Sequence, residues 1–285
     1  MRQQQTINMR GRICSLSTPQ VMGIINLTPD SFYSSSRVQE EQAIRQRIEQ
    51  IISEGGTMVD IGGCSTRPGS IQPSMQEEKE RIVPALRLLC NEYPDVIVSV
   101  DTFHSSIAQM AVEEYGASII NDISGGEGDP KMFSTVSQLE VPYVLMHLRG
   151  GIEHMHATHS YTPDVETEVL DYFIHKVALL RDLGVKDIIL DPGYGFSKTM
   201  SDNYRLFAKA SQALASLQLP ILVGVSRKRM VWKTVDTTPE GALNGTTVLH
   251  TIALMMGGVS ILRVHDVRAA VEAVLITQQI AQYNC

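Results

Sequence analysis

Short runs of valine and isoleucine, each closing on a polar residue, recur along the chain and alternate with amphipathic stretches. The first main run, 21–27, ends at Asn26, and the following Thr28-Pro29-Asp30-Ser31 breaks it. Pro29 removes a backbone donor and disfavours helix at Thr28, so the chain turns there. Next, EEQAIRQRIEQIISEG places Ile44, Ile48, Ile51 and Ile52 at helical spacing, with Gly55 as a stop. Further strands are expected at 57–63, 95–102, 118–124, 142–148, 187–193, 220–226 and 259–267. Helices are expected near 75–92, 105–115, 130–139, 165–183, 202–217, 241–256 and 268–282. On the longest of these, Leu170, Phe173, Val177 and Leu180 share a face; on the next, Phe207, Ala210, Leu214 and Leu217 do.

Eight strands, each followed by a helix, lack strict alternation, as expected for a parallel sheet buried on both faces. The pattern predicts an α/β fold, a (β/α)₈ barrel forming one domain over residues 1–285. Residues 6–20, with Gly11 between two small polar–apolar strands, predict a short N-terminal hairpin. A doubly wound sheet would carry a Gly-x-Gly-x-x-Gly turn after its first strand, and none follows 21–27.

Composition narrows the function classes. At 285 residues and 43% hydrophobic, the chain can bury a large core, while a net charge of −7 argues against a nucleic-acid partner. No apolar run approaches the ~18 residues of a membrane span, and MRQQQTINMRGR lacks a signal-peptide core, so a soluble cytoplasmic protein without a membrane partner is expected. Cys14, Cys64, Cys90 and Cys285 form no Cys-x-x-Cys pair, hence no disulfide framework or zinc knuckle.

Barrels of this kind place their site at the C-terminal ends of the strands. Those ends carry Asn26, Asp60, Asp101, Asn121, His147, Asp191, Ser226, Arg263 and His265. Any one alone reads as a cap or turn residue. Gathered at one mouth they form a costly polar cluster that a ligand would satisfy. Residues two apart share a strand face, so Arg263 projects with His265 and Ser99 with Asp101, whereas Asn121 and Asp122 oppose each other. Arg67 follows the second barrel strand, and Arg227 and Lys228 follow the seventh, near the usual phosphate site of the fold. Carboxylates and amides on one side of the mouth and cations on the other suit a polar heterocycle bearing a phosphate or diphosphate. The segment Glu153-His154-Met155-His156-x-x-His159 reads as a polar loop in preference to a zinc site.

GIINLTPDSF, STRPG, VSVDT, IINDIS, LMH, LDPGYGFSK, VGVSRK and ILRVHDV, in this order, resemble dihydropteroate synthase, from about Val21 to Val267. The resemblance implies a homodimeric transferase of folate biosynthesis. Such an enzyme joins 6-hydroxymethyl-7,8-dihydropterin diphosphate to p-aminobenzoate with Mg²⁺, releases diphosphate, and is a target of sulfonamides. By the same resemblance, Asp101, Asn121, Asp191 and Lys228 bind the pterin, and Met146, Phe196 and Gly224 wall its pocket. Asn26, Arg67, Arg263 and His265 hold the diphosphate, with Asn26 also meeting the metal. Thr66, Pro68 and Ser226 serve p-aminobenzoate, and Phe32 would wall its ring. Asp101, Asp191, Lys228, Arg263 and His265 form the expected catalytic set.

Two positions depart from the family pattern: Cys64 replaces an acidic residue before STRPG, and Ser34 stands where an aspartate is common. Alternative readings are the pterin-binding barrel of a methyltetrahydrofolate-dependent methyltransferase and an inactive pteridine-binding protein. Arg67, Arg227-Lys228 and the Arg263–His265 pair favour the synthase over the first.

Overall fold

The computed structural model describes residues 5–9, 11–28, 37–66, 69–70 and 72–283. Phe32, Ser34, Arg67 and Pro68 lie outside the described residues. The expected hairpin is present: β1 (Thr6–Met9) pairs antiparallel with β2 (Arg12–Ser15), and Gly11 turns between them at φ +84°.

The barrel strands are β3 (Gln20–Asn26), β4 (Met58–Gly62), β5 (Ile97–Asp101), β6 (Ile119–Asp122), β7 (Tyr143–Met146), β8 (Ile188–Asp191), β9 (Ile221–Val223) and β10 (Val259–Val264). They run parallel and close in sequential order, with β10 beside β3. The helices are α1 (Arg37–Ser53), α2 (Met75–Glu92), α3 (Ser105–Tyr115), α4 (Met132–Leu139), α5 (Val165–Asp182), α6 (Met200–Leu214), α7 (Arg229–Thr234), α8 (Leu243–Met256) and α9 (Val267–Ala281). None is long and apolar enough to cross a membrane.

Most elements lie within a residue or two of their expected positions, with two differences of consequence. The 220–226 stretch keeps only three residues as strand, so Gly224 to Ser226 form a loop, and His265 falls just past β10. The six-residue α7 is not among the expected helices, because two buried residues, Met230 and Val231, are too few to show a helical period. On α1, Ile44, Ile48 and Ile51 are buried while Ile52 turns toward solvent.

Strand periodicity builds two separate cores. Outward-facing residues such as Val59, Ile61, Val98, Val100, Leu190 and Leu262 pack under the helices. Inward-facing Met22, Met58, Ile119, Val144, Ile189, Leu222 and Ile261 fill the lower barrel, and Ile7 and Met9 of the hairpin plug it from below. Full burial of each such side chain contributes about 1.5–3 kcal/mol. Helix α1 lies close on the barrel because Gly23 has no side chain: a Cβ there would sit 2.7 Å from Ile51.

Candidate active site

One step above this apolar layer, the inward positions become polar. Asp60, Ser99, Asn121, Asp191 and Arg263 occupy the same facing as the residues two places before them, so the plug of the barrel is also the floor of the site. Asp60 is completely buried. It accepts from the Ser99 hydroxyl at 2.6 Å, from Asn121 Nδ2 at 3.2 Å and from Arg263 Nε at 2.6 Å. Arg263 Nη2 donates to Asp101 Oδ2 at 2.7 Å. A planar guanidinium thus bridges two carboxylates of neighbouring strands, the geometry at which arginine outperforms lysine. Burial pushes the Asp101 carboxyl up to about 7, against the pull of Arg263 and with help from Asp60 and Glu78.

The expected separation of carboxylates from cations is therefore corrected. Arg263 lies among the carboxylates, because its inward facing on β10 points it across the barrel. Arg227 is not a free phosphate cation either: Nε and Nη2 donate to Asp266 at 2.9 and 2.6 Å. Arg227 holds a left-handed backbone (φ 55°), costing about 1–2 kcal/mol, and Thr246 Oγ1 secures its N–H at 3.1 Å. That kink separates Ser226, turned to β10, from Lys228, turned into the mouth.

Lys228 places Nζ 4.3 Å from the centroid of Phe196 and donates to the Tyr194 carbonyl. Burial lowers its pKa to about 8, opposed by Asp191. Asp191 Oδ1 accepts from the Gly193 N–H at 2.8 Å. Its carboxyl is raised by burial and drawn back by Lys228 and that N–H. Gly224 leaves space between these two groups. A Cβ there would lie 3.9 Å from Asp191 Oδ2 and 4.0 Å from Lys228 Nζ, leaving a slot with an acceptor and a donor on its wall. Met146 and Phe196, both buried, belong to the small apolar cluster at this end of the barrel.

A second subsite opens at the rim beside β3 and β10. Asn26 and His265 line one end of a groove of about 640 Å³ that passes Arg47 and Arg227 and continues along α1 and α9 past Gln50, Glu54, Arg268 and Glu272. His265 N–H donates to Ser226 Oγ at 3.1 Å, and its Nδ1 lies 3.1 Å from the same oxygen. Burial, then Arg263 and Arg227, push its pKa down to about 4, so the ring is neutral at pH 7. Arg47, unremarked in the sequence, donates to the carbonyls of Ile24 at 3.3 Å and His265 at 2.6 Å and stitches the two strand ends together. Ser226 therefore serves His265 directly, and Thr66 lies half-buried in the loop after β4.

Other expectations resolve simply. Asp122 faces away from Asn121 and fixes its own turn, accepting from Ser124 N, Gly126 N and Tyr143 Oη. Burial and the Glu78 carboxylate raise the Cys64 thiol, which stays protonated and is no nucleophile. Among the described residues no group of His, Cys, Asp or Glu could hold a metal ion. His156 stacks on Phe196 instead, with centroids 6.2 Å apart.

The sequence places Asp60 among the polar strand ends without naming its partners, and gives Lys198 no role of its own. Asp60 carried a signal, being two residues above inward-facing Met58; Lys198, in a loop, closes the LDPGYGFSK motif, which names no partner for it. The loop itself depends on Gly193, at φ +70°, where a Cβ would meet the His147 carbonyl oxygen at 2.1 Å. Gly193→Ala is expected to lose at least about 2 kcal/mol in urea unfolding, combining left-handed strain with that clash. An unchanged midpoint would show that the turn relaxes freely.

The comparisons agree with this geometry. A family model described as pterin binding enzyme matches residues 22–265. The dihydropteroate synthase of Escherichia coli is 35% identical over 271 residues, covering 94% of both chains. The Folic acid synthesis protein fol1 of Pneumocystis carinii is 41% identical over 253 residues; these span 87% of this chain but only 34% of that longer protein. A solved structure of Xanthomonas albilineans dihydropteroate synthase with 4-aminobenzoic acid superposes with a TM-score of 0.88 at 34% identity, covering 98% of this chain and 99% of that one. Matched in sequence along the barrel and in structure nearly end to end, the chain belongs to the pterin binding enzymes and, among them, to the dihydropteroate synthases.

Proposed function

We propose that the single barrel domain condenses 6-hydroxymethyl-7,8-dihydropterin diphosphate with p-aminobenzoate, giving 7,8-dihydropteroate and diphosphate. The observation that carries this reading is the slot over Gly224, with Asp191 and Lys228 close to it and the Asp60–Arg263–Asp101 cluster in the same mouth. Asp191, Asp101 and Asn121 match the N–H and amino groups of a pterin, and Lys228 donates toward its carbonyl side. Met146 and Phe196 cover the ring.

The bond that breaks joins the exocyclic methylene carbon to diphosphate oxygen; the bond that forms joins that carbon to the arylamine nitrogen, which then loses a proton. Electrons released by the ring support the carbon as the bond lengthens. The departing diphosphate meets Asn26, Arg67, Arg263 and His265, and its developing charge is where preorganised donors lower the barrier most. Thr66, Pro68, Ser226 and Phe32 are assigned to the acceptor side. Sulfonamides would compete there with p-aminobenzoate.

The neutral carboxamide of Asn26 suits a Mg²⁺ held mainly by diphosphate oxygens, since this ion favours substrate phosphates and water over a dedicated protein cage. When bound, such an ion supplies positive charge to the leaving diphosphate.

The test is direct: dihydropterin diphosphate is incubated with and without p-aminobenzoate, and diphosphate and dihydropteroate are measured. Stoichiometric appearance of both, dependent on the arylamine, supports the reading. Diphosphate-independent methyl transfer, or binding without turnover, rules it out.

A homodimer and a cytoplasmic location belong to the same proposal. For the dimer, support comes from α8 and α9, which pack side by side. They turn Val248, Ile252, Met255, Leu275, Ile276 and Ile280 outward at 42–60% exposure. A contiguous apolar face of this kind marks an association surface. Ile252→Glu combined with Ile276→Glu is expected to convert a dimer to a monomer in sedimentation equilibrium. A wild-type monomer, or an unchanged dimer in the double variant, would discard this face.

A further inference from the structure

Lys198 is a buried lysine with no place in the chemistry above. Its side chain comes from the start of the α6 region and points back under the loop that follows β8. Only 6% of the residue is exposed. Nζ meets three acceptors: His147 Nδ1 at 2.9 Å, the Gly193 carbonyl at 3.1 Å and the Phe196 carbonyl at 3.3 Å. An ammonium has three donors and no acceptor, so this set matches the charged form; burial draws its pKa down to about 7, against the pull of Asp191. The accepting role of Nδ1 fits a neutral His147, whose pKa burial and the neighbouring Lys198 hold well below the ordinary value.

The three acceptors frame the pterin slot. Gly193 is gripped from both sides, its N–H by Asp191 and its carbonyl by Lys198. The backbone N–H of His147 donates to the Asp191 carbonyl at 2.9 Å, which closes the ring of contacts. At the other end of the turn, Phe196 carries the ring that Lys228 covers. Outside, Asn203 anchors the same loop by accepting from Gly195 N–H at 2.6 Å and donating to the Lys198 carbonyl at 3.3 Å. The side chain of Lys198 is thus the inner support of a loop whose outer support is Asn203.

We propose that Lys198 is a positioning residue for pterin recognition: with His147, it clamps the Gly193–Phe196 turn so that Asp191 and Phe196 stay at the separation one heteroaromatic ring needs. The inference rests on the pterin reading of the slot and adds to it a residue that touches no substrate. Charge contributes in the same sense. The ammonium lies near Asp191, with Lys228, Asp202 and Glu168 as the other charged groups acting on it. A cation there favours the ionised Asp191 that accepts hydrogen bonds from a pterin.

The experiment compares wild type, Lys198→Met and His147→Phe by calorimetry with two probes, 6-hydroxymethylpterin and inorganic diphosphate with Mg²⁺. Thermal unfolding is recorded alongside. Lys198→Met is expected to weaken pterin binding about thirtyfold or more, since three buried acceptors lose a charged donor. Diphosphate affinity should stay within about twofold, because the clamp does not reach the rim. His147→Phe keeps an aromatic ring beside Tyr172, now 4.9 Å from the His147 ring, and removes one acceptor. It is expected to weaken the pterin about five- to tenfold, as one charge-assisted contact is lost, and it decides the matter should Lys198→Met fail to fold. Equal losses for both probes would show a merely structural lysine and overturn the proposal, as would wild-type pterin affinity in a folded variant. If wild type itself fails to bind the pterin, the slot has been misread, an outcome distinct from failure of the clamp.

Discussion

Arg263→Met is expected to remove at least 99% of turnover, on the order of two or more decades, and to cost about 3–5 kcal/mol of stability, because it breaks a buried ion cluster by deleting the cation that bridges Asp60 and Asp101. Asp60 accepts from Arg263 Nε and Asp101 from Nη2, and methionine offers neither bond. The side chain of Arg263 is 19% exposed, so water screens the loss only in part. The deficit should depend on pH. Burial already raises Asp101 to about 7, and Arg263 is what holds it from rising further. A carboxyl with a raised folded-state pKa favours the native state below its unfolded value, near 4, and loses that contribution as pH climbs through the folded value. Without Arg263 the folded value moves higher still. The penalty should therefore be small near pH 5 and largest above neutrality. Urea unfolding of wild type and variant at pH 5 and pH 8 checks this; equal deficits at both would show that the carboxylates are not what the arginine compensates.

Asp191→Asn should leave the protein folded and lower turnover by about a hundredfold or more. In the native side chain Oδ1 accepts from Gly193, and Oδ2 faces the open slot above Gly224. An asparagine can keep the Gly193 bond with its single oxygen, which preserves the turn. Its amide nitrogen then faces the slot, presenting a donor to a ligand edge that also donates. The lost charge-assisted bond alone is worth about 1.5–3 kcal/mol, roughly tenfold to a hundredfold. A larger factor follows if the carboxylate steadies charge that develops in the ring. Steady-state rates read beside a melting curve provide the check: near-normal turnover in a folded variant would remove Asp191 from the pterin edge.

These two variants probe two strands of one mouth, β10 and β8, separated only by β9, and the two residues are written differently into the chain. Asp191, Asp101 and Asn121 sit at the ends of valine- and isoleucine-rich runs, where a buried polar group is already conspicuous. Arg263 was equally visible, but its partners were not. The sequence groups it with the cations of the mouth, and the structure places it between two carboxylates.

What the sequence by itself determined is local and periodic. Eight apolar runs with intervening helical patterns specify the barrel, and the period of two specifies which residues turn inward, so Arg263 had to share a face with Ile261, and Asp60 with Met58. The hairpin followed from Gly11, and the loops after the strands from their prolines and glycines. Only the tertiary structure decided which inward residues meet. Arg263 pairs with Asp60 across 203 residues of chain and with Asp101 across 162. Arg227 is neutralised by Asp266 from the neighbouring unit. Such pairings depend on how the strands stagger as the sheet closes, a property of all eight at once that no single run encodes. The contacts of Lys198 lie furthest from sequence reach. The residue belongs to no periodic element, and its three acceptors, two of them backbone carbonyls, converge only because a left-handed Gly193 folds the loop back over β7.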